Sequence, residues 1–503
     1  MKPYHLITPL LYAALALNIF PAQAAQVLED RWYVVFNGED RIGYMHTTVN
    51  QEGDAGPITT TQDVKFVMSR GGTVIELAVG SLFVETPEGR PVRASSTLNM
   101  GGLPIETEVA FLDQGVRVSS GQAGRMTTQM QPPIAGDWLP PQALSRYVEA
   151  QLAAGAEVIE ASTVDVSAGL KPITTRMVRV GPQAIEVYGK TVPATAWDVT
   201  ASNLPSVTLR DYLDDEGTSI KSTIPLLPGL ELTVLEADKA LALSKLTPAE
   251  MMAQTFVTPS RKIDRPRELK RAVYRLRTRD GRAMPELPTS SVQRLVGEQL
   301  IVDLSGEPLG EAAGEAHLAA SAVLNHEDPA VQRWLEEFRF LSFDGPADSA
   351  DWLRRKVHQD IEAKDLSVGF ATASDVARTK QGDCTEHAVL LAALLRGAGI
   401  PSRCVSGLIY ADQFAGHEGI FGYHMWTQAW IDDDGDGPSP GRWIDFDATL
   451  PDGVRFDATH IALLVSDMSD GAVTNDMAAL LPVLGNLEIE VVETGYHVPV
   501  GAE

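Results

Sequence analysis

Cysteine, long apolar segments and positive charge are all scarce in this sequence. Its 503 residues include only two cysteines, Cys384 and Cys404, which excludes a disulfide-rich scaffold and a four-cysteine zinc site. Lysine and arginine together number 41 against 67 aspartates and glutamates, so the formal net charge is −26. A surface this acidic repels phosphate backbones and anionic lipids, and we therefore expect no nucleic acid among the partners.

The sequence begins with a short apolar segment. Lys2 precedes a mostly apolar stretch from Leu6 to Phe20, and Ala22-Gln23-Ala24 provides the small residues that signal peptidase accepts. We expect a cleavable signal peptide over residues 1–24 and a protein that is periplasmic or secreted. The alternative is an N-terminal anchor, although the stretch is shorter than the ~20 apolar residues of a transmembrane helix. No later stretch is long and apolar enough to span a bilayer, so we expect no stable membrane insertion.

Strand patterns dominate the first half of the sequence. From Arg31 to Leu243, short strand-like segments are separated by polar turns such as Asn37-Gly38 and Asp113-Gln114-Gly115. This pattern is typical of antiparallel sheet, in a sandwich or a curved half-barrel. The length is enough for about two to four domains. We predict three: a β-rich N-terminal domain over 25–250, a small β segment and linker over 255–325, and a C-terminal domain over 328–500.

The middle region carries three smaller predictions. Glu268–Thr278 and Ser291–Leu304 have the pattern of two strands, whereas Glu311–Leu324 is rich in alanine and glutamate and fits a helical linker. A basic cluster from Arg261 to Arg282 stands out in an acidic chain. We expect it to occupy solvated strand and loop positions; an anion site and docking on an acidic face are the alternatives.

Residues with nucleophilic chemistry occur in the segment Gln381-Gly382-Asp383-Cys384-Thr385-Glu386-His387-Ala388. The apolar run that starts at Ala388 predicts a helix, and Asp383 with Glu386 three residues later fits a capping box at its start. Cys384 would then lie in the first helical turn. Free backbone N–H groups and the helix dipole favour a thiolate at such a position, and the same N–H groups can stabilise an oxyanion. Cys384 is therefore the candidate nucleophile.

A thiolate nucleophile needs an imidazole base and a group that orients it. His424 precedes the strand pattern Met425–Ile431, and Asp447 follows the strand pattern Arg442–Phe446. If these strands pair about the turn between them, both residues lie at the open end of the hairpin. Asp445 shares a face with Asp447, so strand alternation does not separate the two carboxylates.

His387 is the rival base. It lies one helical turn from Cys384 in the predicted helix, but no carboxylate is evident behind its imidazole. Triad geometry favours His424 over His387 for that reason. We interpret His417 and His460 as loop or structural residues, and Gln381 as a side chain that either helps to bind the oxyanion or caps the loop.

Three sequence blocks in this order resemble the transglutaminase-like superfamily, in particular its bacterial secreted members. The cysteine block is GDCTEHA followed by LLRGAGIPSRCVSGLIY, the histidine block is HMWTQAWI, and the aspartate block is GRWIDFDAT, where Ala448 replaces a common proline. The resemblance covers roughly residues 328–470. It implies a papain-like α+β fold, selects Asp447 as the carboxylate behind His424, and implies acyl transfer from an amide to an amine or to water.

Two alternatives concern cysteine pairing and metal binding. Cys384 and Cys404 could form a disulfide in an oxidising compartment, which would remove the nucleophile; otherwise Cys404 is a small apolar residue in a strand. The segment from Asp432 to Gly437 has the D-x-D-x-D-G pattern of half a calcium loop, but Trp443 occupies the twelfth position, where glutamate is needed. We favour a solvated hairpin turn and expect no metal site and no cofactor.

The sequence therefore predicts an α+β, papain-like (transglutaminase-like) C-terminal domain preceded by an antiparallel β-rich region. The predicted activity is cysteine-dependent acyl transfer on a protein or peptide amide in the bacterial envelope, as a peptidase, amidase or transglutaminase. Cys384, His424 and Asp447 would be the triad. The alternative is a non-catalytic envelope module that binds peptides or proteins with the same fold.

Overall fold

A computed structural model of the chain describes residues 25–227, 229–250, 252–306, 311–363, 369–432 and 441–496. The predicted signal peptide and most of the calcium-like motif lie outside the described residues. The chain divides into two compact units. The described part of unit 1 consists of residues 25–69, Val74–Ala249 and Val473–Leu481, and that of unit 2 consists of Arg70–Thr73, most of Glu250–Ala472, and residues 482–496.

Most of the regular structure is β. The strands are β1 (Ala25–Asn37), β2 (Asp40–Glu52), β3 (Ile58–Arg70), β4 (Thr73–Glu85), β5 (Pro91–Asn99), β6 (Ile105–Leu112), β7 (Gly115–Gln122), β8 (Arg125–Gln131), β9 (Val158–Val164), β10 (Pro172–Val187), β11 (Lys190–Ala201), β12 (Leu204–Leu213), β13 (Ser219–Leu227), β14 (Leu230–Ala237), β15 (Ala249–Glu250), β16 (Arg271–Thr278), β17 (Gln293–Val296), β18 (Gln299–Asp303), β19 (Ser402–Phe414), β20 (His417–Ile431), β21 (Arg442–Phe446), β22 (Ile461–Ser466) and β23 (Leu487–Gly495).

Seven α-helices accompany the strands in the part of the chain that the structure describes. They are α1 (Pro141–Ala153), α2 (Lys239–Ala242), α3 (Pro329–Trp334), α4 (Pro346–Asp360), α5 (Ala373–Thr379), α6 (Cys384–Gly397) and α7 (Ala472–Leu480). None of these described helices has the length and apolar character needed to cross a membrane.

Unit 1 contains one large antiparallel sheet, as the strand patterns predicted. Its strands run in the order β8-β7-β6-β5-β4-β3-β2-β1-β14-β13-β12-β11-β10-β9, and β15 lies off this path. Sequence neighbours are mostly spatial neighbours because tight turns join them. The predicted Asn37-Gly38 turn joins β1 to β2, with Gly38 at a φ of 60° that suits glycine. In the middle of this path β1 pairs with β14, which joins the half that contains β1–β8 to the half that contains β9–β14.

Helix α1 packs on the second half of the sheet. Its Leu144 and Val148 join a buried cluster with Met177 and Trp197. The residue before the helix is Pro140, which has no side chain that could cap it. Glu85 at the end of β4 takes that role, because its two carboxylate oxygens accept the N–H groups of Gln142 and Ala143 at 2.9 Å each.

Unit 2 contains two four-stranded antiparallel sheets, ordered β17-β18-β16-β23 and β21-β20-β19-β22. The strand predicted at Ser291–Leu304 is two strands, β17 and β18. Gly297, at a φ of 61°, allows the turn between them. The predicted helical linker at Glu311–Leu324 is wrong: its regular structure is a single 3₁₀ turn at Glu315–His317. The low helix propensity of Gly314 accounts for this, since helix formation must extend over several turns to be favourable.

Arginines of the basic cluster pair with acidic side chains. Arg271 on β16 lies 2.5 Å from Glu493 on β23, and Arg275 forms an ion pair with Glu490 on the same strand. These exposed cross-strand pairs support register more than stability. Arg267 differs, because it contacts the buried carboxylate of Asp457 at 2.5 Å. The expectation of solvated strand positions therefore fits Arg271 and Arg275, whereas Arg267 departs from it through its buried partner.

Helix α6 packs on the sheet that contains β19 and β20. Its residues from Glu386 to Arg396 are all buried. Two hydroxyl groups fix its position, because Thr427 on β20 donates to the carbonyl of Ala388 at 2.9 Å and Ser402 on β19 donates to the carbonyl of Ala392 at 2.8 Å. The start of α6 and the end of β20 are thereby held together, which places the two predicted reactive residues in one region.

The cap supplied by Glu85 yields a stability prediction. We expect Glu85→Ala to lower the free energy of unfolding by about 2 to 4 kcal/mol, because two N–H groups at a buried helix start lose their acceptor. Chemical denaturation followed by circular dichroism measures the change. Glu108→Ala, at an exposed position on β6, is the matched control and should change stability little. Equal stability of the two variants would contradict the capping role.

Candidate active site

Cys384 is the first residue of α6, as the capping pattern predicted. The Asp383 carboxylate accepts the N–H of Thr385 at 3.1 Å, and the Glu386 carboxylate accepts the N–H of Asp383 at 2.9 Å, which is a capping box. The thiol of Cys384 is free and partly exposed. A partly exposed thiol at a helix start has access to solvent and to free backbone N–H groups, as a nucleophile requires.

The loop before Cys384 is fixed by a buried carboxyl group. Glu386 is fully buried, and its second oxygen accepts the N–H of Ala371 at 3.0 Å. Burial and the nearby charge of Asp383 raise the pKa of Glu386 above its ordinary value. Gly382 has a φ of 143°, and a Cβ there would lie 2.2 Å from the Cβ of Glu386. Only glycine fits, so Gly382 and Glu386 together determine the backbone path into the nucleophile.

His424 and Asp447 form a buried hydrogen-bonded pair. Nε2 of His424 lies 2.8 Å from Oδ2 of Asp447, and the two side chains are 9% and 1% exposed. The pairing of β20 with β21 brings them together, with Trp430 opposite Trp443 and Gln428 opposite Asp445. This is the hairpin register expected from the sequence. Thr449 fixes the other oxygen of Asp447, donating from its N–H at 2.8 Å and from its hydroxyl at 2.7 Å.

The charges of this pair stabilise each other. Burial alone would lower the pKa of His424, but the charge and hydrogen bond of Asp447, with a hydrogen bond to Cys384, raise it to about 10. Burial likewise opposes ionisation of Asp447, yet His424 holds the pKa of that carboxyl well below its usual range. Because Nε2 of His424 faces Asp447, the ring nitrogen left for Cys384 is Nδ1. The structure thus brings the three predicted triad residues together.

The rival base and the rival carboxylate have other partners. Nδ1 of His387 lies 2.6 Å from the carbonyl oxygen of Asp383, inside its own helix. Asp445 accepts the indole N–H of Trp426 at 2.7 Å and the amide of Gln428 at 2.8 Å. These contacts assign His387 and Asp445 to the framework around the site rather than to the Cys384–His424 pair.

His460 was predicted to be a loop or structural residue, but it contacts the candidate triad. Its side chain is fully buried, and its Nε2 lies 3.3 Å from the same Asp447 oxygen that His424 contacts. The sequence held one signal for this position: the tetrapeptide Phe-Asp-Ala-Thr occurs at 446–449 and again at 456–459, directly before His460. A repeat of the aspartate motif ten residues later suggests a second carboxylate with a similar local structure.

Cys404 and the tryptophans belong to the core. Cys404 on β19 is 1% exposed, and no disulfide joins it to Cys384. Trp426 and Trp443 are also buried. Gln381 is exposed on the loop before α6, and its part in oxyanion binding stays a prediction.

One group of side chains in the described residues could reach a single metal ion. The ligand atoms of His424, Asp447 and His460 lie within 4.8 Å of one another. Each imidazole already hydrogen-bonds to the carboxylate, and that contact accounts for their proximity. We therefore assign no metal to this group. A cavity of about 910 Å³ is lined by β21 residues and by Asp447, but Cys384 and His424 do not line it, so it is not assigned to substrate.

Comparison with known proteins finds a family match in the C-terminal part of the chain. Residues 342–448 match the family model of the transglutaminase-like superfamily, which confirms the resemblance carried by the three sequence blocks. That match includes Cys384, His424 and Asp447, so this region is similar to transglutaminase-like domains. No curated protein matches the chain.

Three solved structures are similar to parts of the chain. A β-barrel-like protein with a domain of unknown function from Brucella abortus has 11% identity over 43% of this chain and 98% of its own, with a TM-score of 0.31. A protein described as a candidate cysteine protease from Cytophaga hutchinsonii has 15% identity over 46% and 79%, with a TM-score of 0.28. A candidate protease from Parabacteroides distasonis has 13% identity over 58% and 71%, with a TM-score of 0.17. No score reaches 0.5, so these structures carry no argument about fold or activity.

The opposing effects on His424 give a prediction about its protonation. In Asp447→Asn the stabilising charge is lost while burial remains, so the pKa of His424 should fall from about 10 to its ordinary value or below. The imidazole would then be neutral over more of the physiological range. Nuclear magnetic resonance titration of ¹⁵N-labelled histidine measures this directly. A His424 pKa that is the same in Asp447→Asn and in the wild type would contradict the pairing.

Proposed function

We propose that this protein is a cysteine-dependent acyl-transfer enzyme that acts on amides of proteins or peptides. Cys384 is the nucleophile, His424 is the base and general acid, and Asp447 orients the imidazole. One observation carries the proposal: the Asp447 carboxylate binds Nε2 of His424 at 2.8 Å, which leaves Nδ1 for the thiol at the start of α6. The transglutaminase-like match over residues 342–448 supports the same reaction class.

The first half of the reaction forms a thioester. The Cys384 proton passes to Nδ1 of His424, and the thiolate attacks the carbonyl carbon of the amide. The carbonyl oxygen takes the negative charge of the tetrahedral intermediate, and backbone N–H groups at the start of α6 are placed to stabilise it. The imidazolium then gives its proton to the departing nitrogen, the carbon–nitrogen bond breaks, and an amine or ammonia leaves.

The second half of the reaction removes the acyl group from Cys384. Water or an amine gives a proton to His424 as it attacks the thioester carbonyl, and the carbon–sulfur bond breaks. The products are a carboxylic acid when water attacks and a new amide when an amine attacks. The thiolate and the imidazolium are restored in either case. In a dilute envelope compartment we propose water as the usual acceptor, which makes the enzyme a hydrolase.

The proposal also covers the architecture of the catalytic region and the cellular location of the protein. A nucleophile at the N-terminus of a helix that packs on an antiparallel sheet carrying the other two residues is the arrangement of a papain-like domain. We therefore propose a papain-like architecture for the part of unit 2 that contains α6 and β19–β22. The signal-peptide pattern over residues 1–24 supports export to the periplasm or beyond it. Residues of the chain itself act as nucleophile, base, general acid and oxyanion donors, so we propose a reaction without a cofactor.

A non-catalytic module that binds peptides is the second candidate. Loss of the cysteine, histidine or aspartate would have favoured it, because binding alone needs none of the three. All three are present, the imidazole is hydrogen-bonded to a buried carboxylate, and its interaction with the thiol contributes to the raised pKa of His424. A purely binding domain has no use for that arrangement, so the enzyme is the better supported function.

Reactivity of Cys384 tests the choice between enzyme and binding module. In Cys404→Ala, which keeps one thiol, we expect iodoacetamide at neutral pH to label Cys384 rapidly and with a stoichiometry of one. His424→Ala in that background should slow labelling about 100-fold or more, because the imidazole that stabilises the thiolate is gone. Mass spectrometry of the intact protein measures the rate. Labelling that is equally fast without His424 would contradict the proposed base and favour the binding module.

The acceptor is tested by the products. Envelope proteins incubated with wild-type enzyme should gain new chain termini relative to a parallel incubation with Cys384→Ala, because water resolves the thioester. Proteomic mass spectrometry detects both new termini and new isopeptide links. Isopeptide links without new termini would reverse the proposed acceptor from water to amine. Identical peptide maps from the two proteins would contradict amide chemistry altogether.

A further inference from the structure

Asp447 receives an imidazole on each side. Its Oδ2 atom lies 2.8 Å from Nε2 of His424 and 3.3 Å from Nε2 of His460. The rings of the two histidines have centroids 6.0 Å apart. A catalytic triad needs only one imidazole hydrogen-bonded to its carboxylate. The second imidazole is unused by the mechanism proposed above, and its complete burial means that it was placed at some cost in solvation.

The surroundings hold His460 in one orientation. Its ring stacks on Phe456 with a centroid distance of 4.0 Å and an interplanar angle of 27°. It also makes an edge-to-face contact with Trp426, with a centroid distance of 5.3 Å and an interplanar angle of 82°. With a stacked ring on one side and a perpendicular ring nearby, the imidazole has little freedom to turn. The two ring nitrogens are therefore aimed at fixed partners.

Both partners of His460 are hydrogen-bond acceptors. Nε2 faces the Asp447 carboxylate at 3.3 Å, and Nδ1 faces the backbone carbonyl oxygen of Asp457 at 3.0 Å, with the Asp457 carboxylate 3.6 Å away. A neutral imidazole donates from only one nitrogen, so one of these contacts would place a lone pair against an oxygen. Only the doubly protonated ring satisfies both.

Asp457 repeats the local structure of Asp447. In each Phe-Asp-Ala-Thr segment one carboxylate oxygen accepts the N–H and the hydroxyl of the threonine two residues later. The distances are 2.8 and 2.7 Å at Asp447, and 2.8 and 2.5 Å at Asp457. The other oxygen is then free to face a cation in both cases. For Asp457 that cation is Arg267, at 2.5 Å.

These contacts form one row of alternating charge. It runs from His424⁺, next to Cys384, through Asp447⁻, His460⁺ and Asp457⁻, and it ends at Arg267, which also donates to the carbonyl of Tyr410. Each buried charge has an opposite neighbour, which is the condition under which buried ions are tolerated. A neutral His460 would leave Asp447 and Asp457 as two carboxylates separated only by an uncharged ring.

From this arrangement we infer that His460 is a buried imidazolium that positions Asp447, and that Asp457 and Arg267 hold it in that state. The inference rests on the proposed function, since it assigns His460 a part in the same site. His460 does not touch the reacting atoms. It acts through Asp447, whose orientation and charge in turn set the orientation and basicity of His424.

The charged groups around His460 agree with this assignment. Asp445 lies on β21 and Asp447 directly follows that strand. His424 lies on β20, and Asp457 lies three residues before His460. Burial alone would lower the pKa of His460, but Asp457 and Asp447 raise it above its ordinary value. The one cation among these neighbours is His424. Loss of the His460 charge should therefore make His424 easier to protonate.

The first measurement uses the wild-type protein. With ¹⁵N-labelled histidine, nuclear magnetic resonance at about neutral pH should show both ring nitrogens of His460 protonated. His460→Gln assigns the signals. A neutral His460 at that pH overturns the inference. It leaves the proposed function intact as long as Cys384 is still labelled by iodoacetamide in a His424-dependent way, so the two failures are distinguishable.

The second measurement asks whether the charge reaches His424. In His460→Gln the pKa of His424 should rise by about 0.5 to 2 pH units, which is the effect of removing a unit charge at about 6 Å. Asp457→Asn should move it in the same direction, because His460 loses the carboxylate that keeps it charged. A merely structural role would lower stability without this shift. An unchanged His424 pKa in both folded variants contradicts the inference.

The third measurement is the rate at which iodoacetamide labels Cys384, compared with a matched control. Asp457→Asn leaves the three triad residues in place, yet iodoacetamide should label Cys384 about 10- to 100-fold more slowly, because Asp447 is less firmly oriented and holds His424 less well against the thiol. His417→Gln, which changes an exposed histidine at the start of β20, should leave the rate unchanged. Equal rates in Asp457→Asn and His417→Gln would show that Asp457 has no role in positioning.

Discussion

The hydrogen bond between Asp447 and His424 is the interaction on which the site depends. It determines which ring nitrogen of His424 is left for Cys384, because Nε2 is held at 2.8 Å by the carboxylate. It also offsets the loss of solvation that both side chains suffer on burial, through a favourable charge pair. Without it, a buried imidazole would be neutral and free to turn, and the thiol at the start of α6 would have no fixed partner.

The surrounding structure serves to keep this bond in place. Helix α6 presents Cys384 at its first position because Asp383 and Glu386 cap it, and hydroxyl groups from β19 and β20 fix the helix on the sheet. The hydroxyl of Thr449 donates a hydrogen bond to Oδ1 of Asp447. His460 faces the other oxygen of Asp447, Oδ2, and also contacts Asp457 and Phe456. The His424–Asp447 pair is thereby buried in unit 2, whereas Cys384 at the start of α6 stays partly exposed.

Local sequence patterns predicted a good part of this arrangement. The capping box, the helix after Cys384 and the hairpin that carries His424 and Asp447 depend on residues close in sequence, and the structure contains them. The antiparallel sheet of unit 1 was predictable from its turns for the same reason. The linker at Glu311–Leu324 was predicted wrongly because composition alone favoured a helix that its glycine does not support. The contacts of His460 and Arg267 depend on residues brought together by tertiary packing; the repeated Phe-Asp-Ala-Thr tetrapeptide is a sequence signal for His460 alone.

The central claim is that one free thiol is paired with an imidazole whose other nitrogen is bound by Asp447. A crystal structure of the protein with a peptide aldehyde covalently trapped on Cys384 tests this most directly. We predict a hemithioacetal on Cys384, with its oxygen facing the backbone N–H groups at the start of α6. Nδ1 of His424 should lie within hydrogen-bond distance of the adduct, and Nε2 should remain on Asp447. A Cys384–Cys404 disulfide in the active protein, or a His424 ring turned away from the sulfur, would contradict the account.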